Sequence, residues 1–289
     1  MGYLHIPQLY KEQRILLFKE CFALEKIHGS SAHVKFSNGT LDFFAGGEKH
    51  DNFVAIFNQE ALKNSFIALG HTDIIVFGEV YGGKCQGMSK TYGTKLSFVG
   101  FDVKIGDAWL SVPNAKDVCD KLGLDFVDFK RIPAEVSAID AERDAPSEQA
   151  FKNGCAVRED KSTWKIREGV VLRPIEEMRD NNGDRIISKH KRPEFSERAT
   201  PQNVDHEKKA IMDNAEAIAL EWVTDMRLEH VLDKLGNPTD ITAMPKVITA
   251  MIEDVTREAS GEILDDKIVR KAVGSRACKL FKAKVNTIQ

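Results

Sequence analysis

Hydrophobic and polar residues in the first two-thirds of the chain alternate in short runs that are typical of β-strands. Two such runs, at 33–37 and 40–44, flank Asn38-Gly39, a dipeptide that predicts a two-residue hairpin turn because both residues tolerate positive φ. A continuous apolar run at 73–77 predicts a buried strand. We expect four further strands, at 96–104, 108–112, 168–173 and 185–190.

Two stretches of the same region have apolar residues at helical spacing. The first covers 52–69, and Gly70 is placed to end that helix. The second begins at Pro113, a residue that suits the first helical turn, and stops at Gly123. Strands and helices mixed in this way predict an α+β domain at 1–195.

The composition changes after residue 195. A polar segment at 196–208, which contains Pro201, is typical of a linker. From 209 to 289 the pattern is helical, with helices expected at 210–235, at 243–259 and from 261 onward. The sequence therefore predicts a small all-α C-terminal domain.

Composition limits the function classes. A formal net charge of -3 gives the chain no overall attraction to nucleic acid or anionic lipid, so such binding requires a local patch. No apolar run is long enough to span a membrane, and the first residues lack the pattern of a signal peptide, so we expect a cytosolic protein. The five cysteines form no C-x-x-C pair, which argues against disulfides and zinc.

One local patch lies near the C-terminus. Residues 267–289 contain seven basic residues and no acidic one. Solvated lysines are the commoner explanation of such a run, and contacts to nucleic-acid phosphates are the other. For the second interpretation the candidate nucleic-acid-binding residues are Arg270, Lys271, Arg276 and Lys279.

The segment Glu25-Lys26-Ile27-His28-Gly29 places a lysine at the end of an expected strand, followed by a glycine that lets the backbone turn. An amine in such a position can act as a nucleophile if its surroundings keep it unprotonated. A surface lysine before a turn would give the same pattern, in which Lys26 is followed three residues later by Gly29. The choice between the two depends on the rest of the chain.

A second motif suggests a different class of protein. Residues 78–84 satisfy G-x-x-x-x-G-K after a buried strand, as in a phosphate-binding loop. The next residue is Cys85, where such a loop needs Ser or Thr, and Glu79 within the loop would repel phosphates. A phosphate-loop NTPase is therefore only a weak alternative.

Five short motifs occur in a fixed order, and their central residues are Lys26, Glu79, Phe101 (followed by Asp102), Glu168, and Lys189 with Lys191. In this order they resemble the covalent nucleotidyltransferase superfamily of polynucleotide ligases and capping enzymes, and most closely the nick-sealing RNA ligases typified by phage RNA ligase 2. The resemblance covers about 20–195. It implies an ATP-grasp-like ligase adenylation domain of antiparallel sheets and helices.

The resemblance also implies roles for these residues. Lys26 attacks the α-phosphorus of ATP, while Lys189 and Lys191 neutralise phosphate charge. Glu79 holds a ribose hydroxyl, Phe101 stacks on adenine, and Glu168 helps to place Lys26 and a Mg²⁺ or Mn²⁺ ion, directly or through water. The resemblance further implies that Glu25, Ile27 and Gly29 contribute to nucleotide binding. His28 and Asp102 also fit the family pattern, although a capping His and a turn-stabilising Asp would look the same.

The function expected from the resemblance is an ATP-dependent RNA ligase acting on nicks in duplex RNA or in an RNA–DNA hybrid, and nothing in the sequence demands a dimer. A capping guanylyltransferase, a DNA ligase and a non-catalytic RNA-binding protein stay as alternatives. The sequence departs from the family pattern at two places where contacts to the nucleotide or the RNA ends are expected. Ser31 stands where the branch usually has Asn, and residues 45–49 lack an expected Arg, for which Lys49 or the amides of Gly46 and Gly47 can substitute.

Overall fold

The computed structural model describes residues 2–180, 183–195, 215–263 and 267–288. The chain divides into two compact units, Met1–Arg192 and Pro193–Gln289. The linker expected at 196–208, and the start of the helix expected at 210–235, lie outside the described residues. Among the helices that are described, none combines the length and apolar character needed to cross a bilayer.

The first unit contains two antiparallel sheets. Its strands are β1 Glu20–Lys26, β2 Ser30–Ser37, β3 Thr40–Ala45, β4 Asp73–Tyr81, β5 Ser97–Ile105, β6 Ala108–Trp109, β7 Phe129–Pro133, β8 Gly169–Pro174 and β9 Ser188–Lys191. One sheet has the strand order β7-β1-β8-β9 and the other the order β3-β2-β4-β5-β6. Apolar side chains from both sheets, such as Leu24 of β1 and Val34 of β2, share one core.

Helices cover the outer parts of this unit. They are α1 His50–Val54, α2 Gln59–Ala68, α3 Ser89–Tyr92, α4 Val112–Leu122, α5 Val136–Arg143 and α6 Glu148–Lys152. The hairpin prediction is confirmed, because Asn38 and Gly39 have φ of +48° and +82° between β2 and β3. The predicted stop of α4 is also confirmed, with Gly123 at φ +69°.

Two local predictions are wrong. The single helix expected at 52–69 is broken into α1 and α2, because Asn58 leaves the helical conformation and its side chain caps α2 by accepting from the N–H of Ala61 at 3.1 Å. The strand expected at 108–112 pairs only over Ala108–Trp109, and Val112 already belongs to α4.

The second unit is helical, as predicted. Its helices are α7 Ala215–Trp222, α8 Asp225–Lys234, α9 Met244–Glu258 and α10 Lys267–Ile288. The helix expected at 210–235 is interrupted, because Thr224 accepts a hydrogen bond from the N–H of Arg227 and begins a new helix. The core of the second unit contains Trp222, Met251 and Phe281.

Candidate active site

The corner that joins the two sheets carries the candidate nucleophile. Lys26 is the last residue of β1, and residues 27–29 lead directly into β2. Gly29 lies so close to β4 that a Cβ atom there would stand 2.2 Å from the carbonyl oxygen of Val80. Because a larger residue does not fit, this glycine fixes the path of the backbone that presents Lys26.

Strand pairing brings the ends of β1, β8 and β9 together at Lys26. Lys26 pairs with Gly169 of β8, and Gly169 pairs with Lys191 of β9. Gly169 has φ of +155°, and a Cβ atom there would meet the carbonyl oxygen of His190 at 2.2 Å, so glycine is required here as well. Glu168 directly precedes Gly169, which puts its carboxylate at the same edge of the first sheet.

The carboxylate of Glu168 is the centre of these contacts. Its Oε2 accepts a hydrogen bond from Lys26 Nζ at 3.1 Å and lies 3.2 Å from His28 Nδ1, while its Oε1 lies 2.9 Å from Lys191 Nζ. Burial opposes ionisation of Glu168, but Lys191, Lys26 and His28 outweigh it and hold the pKa of the carboxyl well below its usual range. Glu168 is therefore an anion shared by two ammonium groups.

Glu79 reaches the same place from the second sheet. It lies on β4, directly opposite Ser31 of β2. Burial raises the pKa of Glu79 to about 7, with Lys26 opposing the shift and the negative charge of Glu168 adding to it. The two carboxyl groups of the site therefore differ in charge near neutral pH, with Glu168 ionised and Glu79 divided between its two forms.

Lys189 and Lys191 share a face of the first sheet with Lys26. Residues directly opposite each other in neighbouring strands point to the same side of a sheet. Lys189 pairs with Val171, which pairs with Leu24. Leu24 and Val171 contribute to the core shared with the second sheet, so all three lysines are on the side that faces that sheet.

Phe101 is the extra residue of a β-bulge between β4 and β5. Phe77 pairs with Asp102, and the next pair is Gly78 with Gly100, so the register skips Phe101. A bulge of this kind changes the direction of the side chain at the extra residue. The half-buried Phe101 ring therefore has an orientation that regular alternation along β5 would not give it.

Asp102 anchors a buried ion cluster next to Phe101. Its carboxylate accepts hydrogen bonds from Tyr3 Oη at 2.6 Å, from Arg185 Nη1 at 2.7 Å and from Arg173 Nη1 at 3.0 Å. The ring of Tyr3 in turn packs edge-on against Phe101, with ring centroids 4.9 Å apart. Asp102 thus holds Tyr3 in place, and Tyr3 in turn supports the Phe101 ring.

The side chain of Glu25 points away from Lys26. Its Oε1 accepts from Ser147 Oγ at 2.6 Å, and its Oε2 accepts from the N–H groups of Glu148 and Gln149 at 2.9 and 3.1 Å, so it caps the start of α6. The side chain of Ile27 is buried in the core. Any contact of these two predicted nucleotide-binding residues with a nucleotide therefore involves their backbone.

The alternative of a phosphate-binding loop is wrong. Gly78, Glu79 and Tyr81 all belong to β4, so the first half of the G-x-x-x-x-G-K match is strand and not loop. After Gly82 and Gly83, the chain forms a short 3₁₀ turn rather than the long helix whose N-terminus such a loop needs.

Several residues that sequence patterns mark weakly or not at all lie in or beside the site. His28 is buried and contacts Glu168, and its backbone N–H donates to Tyr92 Oη at 3.3 Å. The sequence feature that could have identified His28 is its position two residues after Lys26. Tyr3 and Arg185 join the cluster on Asp102 from distant parts of the chain, and no local pattern marks them.

Of the two departures from the family pattern, the one at Ser31 lies beside the site. Ser31 is exposed opposite Glu79, and its carbonyl oxygen accepts the N–H of Gly46 at 2.8 Å. Lys49 is exposed at the start of α1. Lys49, or the amides of Gly46 and Gly47, stay the predicted substitutes for the expected Arg.

Three of the four basic residues predicted to bind nucleic acid line one cavity of the second unit. This cavity, of about 420 Å³, lies between α7 and α10 and is lined by Ala215, Ala219, Leu220, Lys271, Ala272, Ser275, Arg276 and Lys279. Arg276 also donates from Nε to the carbonyl oxygen of Val223 at 2.9 Å. Arg270 is exposed but does not line the cavity.

Solved structures identify the class of the fold. Three structures of Naegleria gruberi RNA ligase are similar to this chain, each at 14% identity and with a TM-score of 0.52: a lysine-to-alanine mutant with ATP and Mn, the protein with PPi, and a lysine-to-methionine mutant with AMP and Mn. The match covers 68% of this chain and 57% of each of theirs. The first unit therefore has the nucleotidyltransferase fold of an RNA ligase.

The family follows from the sequence match. A family model described as RNA ligase matches residues 19–191, which is more than half of the chain. The chain belongs to the RNA ligase family. A comparison with curated proteins found no match. Particular closeness to phage RNA ligase 2 stays a prediction.

Proposed function

We propose that this protein is an ATP-dependent RNA ligase that joins a 3′-hydroxyl end to a 5′-phosphate end through an AMP adduct on Lys26. The observation that carries the proposal is the set of contacts on Glu168, where Lys26, His28 and Lys191 all lie within 3.2 Å of its carboxylate oxygens. Membership of the RNA ligase family supports the same activity.

In the first step, Lys26 Nζ forms a bond to the α-phosphorus of ATP. Nζ first gives up the extra proton of its ammonium form to solvent; the bond from that phosphorus to the bridging oxygen then breaks, pyrophosphate leaves, and the nitrogen releases a second proton. The phosphates need positive charge as the bond forms, and Lys191 and Lys189 are on the same face of the sheet as Lys26. An incoming phosphate would compete with Glu168 for both ammonium groups.

The nucleoside part of ATP has two candidate contacts. Phe101, supported by Tyr3, offers an aromatic ring on which adenine can stack without its edges being read. Glu79, from the opposite sheet, can accept a hydrogen bond from a ribose hydroxyl when it is ionised. The approach of both groups from the second sheet supports a nucleotide held between the two sheets.

The remaining steps reuse the same phosphate site. An oxygen of the RNA 5′-phosphate attacks the AMP phosphorus, the bond to Lys26 Nζ breaks as Nζ takes up a proton and becomes an amine again, and the 5′ end carries AMP. The 3′-hydroxyl then attacks the phosphorus of the 5′-phosphate, loses its proton, and AMP leaves. The RNA strand is then continuous.

A divalent metal fits the donor set. Within the described ranges, no group of three or more His, Cys, Asp or Glu side chains is arranged around a metal site. Mg²⁺ and Mn²⁺ at nucleotide sites commonly use phosphates, water and one or two carboxylates, so the ionised Glu168 is sufficient as a protein partner, directly or through water. Bound there, the ion would reduce repulsion between the phosphates. The ATP and Mn in the Naegleria structures support this choice.

For the RNA, we propose a nicked duplex or an RNA–DNA hybrid. A-form helices are recognised mainly through phosphates and 2′-hydroxyls. Lys271, Arg276 and Lys279 around the cavity of the second unit, with Arg270 beside it, would contact the backbone of such a helix. One chain supplies every group named here, so we infer a monomeric enzyme.

The test uses the full chain, ATP or GTP, Mg²⁺, and a duplex with one RNA nick carrying a labelled 5′-phosphate. We expect ATP to give first an AMP-capped 5′ end and then a sealed strand, and we expect neither product from Lys26→Ala. Labelling by GTP instead would indicate a capping guanylyltransferase. Binding of the duplex without any nucleotide adduct would indicate a non-catalytic RNA-binding protein, and either result would overturn the proposal.

A further inference from the structure

The segment between α6 and β8 is a hydrogen-bonded loop that carries an exposed tryptophan. Trp164 is 37% exposed, although its Nε1 donates to the carbonyl oxygens of Val157 at 3.0 Å and Arg158 at 3.3 Å. Because the polar edge of the indole is already bonded to the backbone, the exposed part is its carbon surface. Soluble proteins commonly bury such a ring when it serves packing alone.

Hydrogen bonds within the loop hold the tryptophan in one position. Asp160 accepts from the N–H of Ser162 at 3.0 Å, and Thr163 Oγ1 accepts from the N–H of Val157 at 2.8 Å while donating to Asp160 O at 2.7 Å. The ring of Phe151 supports Trp164 edge to face, with centroids 6.0 Å apart at 88°. A ring fixed in this way loses little conformational entropy when a ligand stacks on it.

One cation lies over the exposed ring, and a second is adjacent in the chain. Lys161 Nζ lies 5.6 Å from the centre of the Trp164 ring, and Lys165 directly follows Trp164. Arg158 stacks on Phe151 at 4.5 Å and pairs with Glu148, and Arg167 pairs with Glu142. The cations of the loop next to Trp164 are therefore Lys161 and Lys165.

The loop also carries two acidic residues, Glu159 and Asp160. The carboxylate of Asp160 accepts hydrogen bonds from the N–H and the Oγ of Ser162, at 3.0 and 2.6 Å, whereas the ammonium group of Lys161 lies over the ring. Two further apolar side chains, Val157 and Ile166, are 50% and 42% exposed beside Trp164. An aromatic face with apolar neighbours and lysines is the composition that binds unpaired bases and their phosphates.

The loop is tied to the active site by a short, fixed connection. Trp164 is four residues before Glu168, so their Cα atoms are at most about 14 Å apart. The connection is pinned by the N–H of Ser147, which donates to Lys165 O at 2.8 Å, and by Arg167, whose buried guanidinium donates to Glu142 at 2.8 Å. At the roughly 3.4 Å spacing of stacked bases, that distance corresponds to about four nucleotides.

From these observations we propose that Trp164 stacks on an unpaired RNA base within a few nucleotides of the phosphate handled at Glu168, with Lys161 and Lys165 contacting the adjoining phosphates. The proposal rests on the proposed function and narrows its substrate: among nicked duplexes, the ligase prefers those in which nucleotides next to the break are unpaired. A fully paired nick offers no free base face to this ring.

Tryptophan fluorescence can report the contact directly. The chain has three tryptophans, and Trp164 is the most exposed, whereas Trp222 is 2% exposed and Trp109 packs against Arg185 at 4.1 Å. We expect a short single-stranded RNA with a 5′-phosphate to quench the fluorescence of the full chain. We expect Trp164→Phe to abolish the quenching and Trp109→Phe to retain it, and a fully paired nicked duplex to quench weakly.

Affinity gives the second readout. Trp164→Ala is expected to weaken single-stranded RNA binding roughly tenfold, since stacking on an aromatic side chain contributes about that much per base. Trp164→Phe keeps a ring and should bind within about threefold of wild type. A double change of Lys161 and Lys165 to Ala should weaken binding and reduce its salt dependence. Replacing the distant exposed Ile67 by Ala is the matched control, and melting temperatures establish that each variant is folded.

The outcomes separate this proposal from the proposed function. Quenching that persists in Trp164→Phe, or RNA affinity unchanged in both Trp164→Ala and the double lysine variant, would overturn the stacking proposal even if wild type forms the AMP adduct. Quenching that depends on Trp164 in a protein that forms no adduct would support it and overturn the ligase function. Equal quenching by the fully paired nick would overturn the preference for unpaired nucleotides.

Discussion

Lys26 Nζ lies 3.1 Å from Glu168 Oε2, although 142 residues separate the two in the chain. The same carboxylate is 2.9 Å from Lys191 Nζ, so one buried anion lies between two ammonium groups that would otherwise repel each other and offsets one of their two charges. The site is thereby arranged to accept negative charge. When a nucleotide phosphate enters, both lysines exchange one anionic partner for another.

Lys191→Met removes one of these cations while keeping much of the side-chain volume. We expect adduct formation to fall on the order of 100-fold, because the phosphate loses a charge that is needed most as the new bond forms. Quantitative labelling with ATP measures the effect. Lys121→Met removes an exposed lysine that pairs with Asp117 one turn away on α4, and it should leave labelling unchanged.

Gly29→Ala tests the close approach at the sheet corner. A Cβ atom at this position would lie 2.2 Å from Val80 O and 2.9 Å from Glu79 Cγ, so β2 and β4 must separate. We expect a loss of roughly 1–3 kcal/mol of stability and a parallel loss of adduct formation, since both Lys26 and Glu79 shift. Urea unfolding measures the first quantity. Gly2→Ala, where a Cβ meets no atom within 4 Å, is the matched control; equal stability of the two variants would contradict the steric account.

Glu79→Gln tests the raised pKa of that carboxyl. A pKa of about 7 in the folded protein, against 4.5 as the ordinary value, means that the folded state favours the protonated form. The resulting stabilisation is present below pH 4.5 and is lost as the pH rises through 7. Wild type should therefore lose up to roughly 3 kcal/mol across this window, relative to the glutamine variant.

Melting temperatures at pH 5 and pH 8 measure this effect. The difference between Glu79→Gln and wild type should move in favour of the variant at the higher pH. Glu60→Gln on the exposed face of α2 supplies the control, for which the difference should stay constant. A constant difference for Glu79→Gln as well would contradict a raised pKa of Glu79 in the folded protein.

Phe101→Leu retains apolar volume but removes the aromatic face. We expect the concentration of ATP needed for half-maximal labelling to rise roughly tenfold, because stacking on a base is lost, while Phe101→Tyr should stay near wild type. If leucine serves as well as phenylalanine, the bulged ring is a core residue and adenine lies elsewhere.

Local chemistry made part of the fold predictable. Asn38-Gly39 specified its turn by its own backbone preferences, and Gly123 ended α4 for the same reason. The break between α1 and α2 was missed because an apolar periodicity continues across it. There, the side chain of Asn58 competes with the helix for the N–H of Ala61, and periodicity does not report that competition.

The site was predictable where residues stand at strand ends and not where they meet through tertiary packing. The motifs singled out Lys26, Glu168 and Lys191, and the register of β1, β8 and β9 brings them together. The direction of Glu25 depends on where α6 begins, which no pattern near Glu25 reveals. The bulge at Phe101 likewise depends on pairing with a neighbouring strand.

The covalent adduct is the most direct test of the central claim. Purified full-length protein is incubated with ATP and Mg²⁺ and no RNA, and its intact mass is compared with that of Lys26→Arg and of Lys19→Arg, a lysine outside the site. We predict that wild type and Lys19→Arg gain the mass of one AMP group, mapped to the peptide containing Lys26, and that Lys26→Arg gains none. An unchanged wild-type mass, or an adduct that survives in Lys26→Arg, would contradict the account.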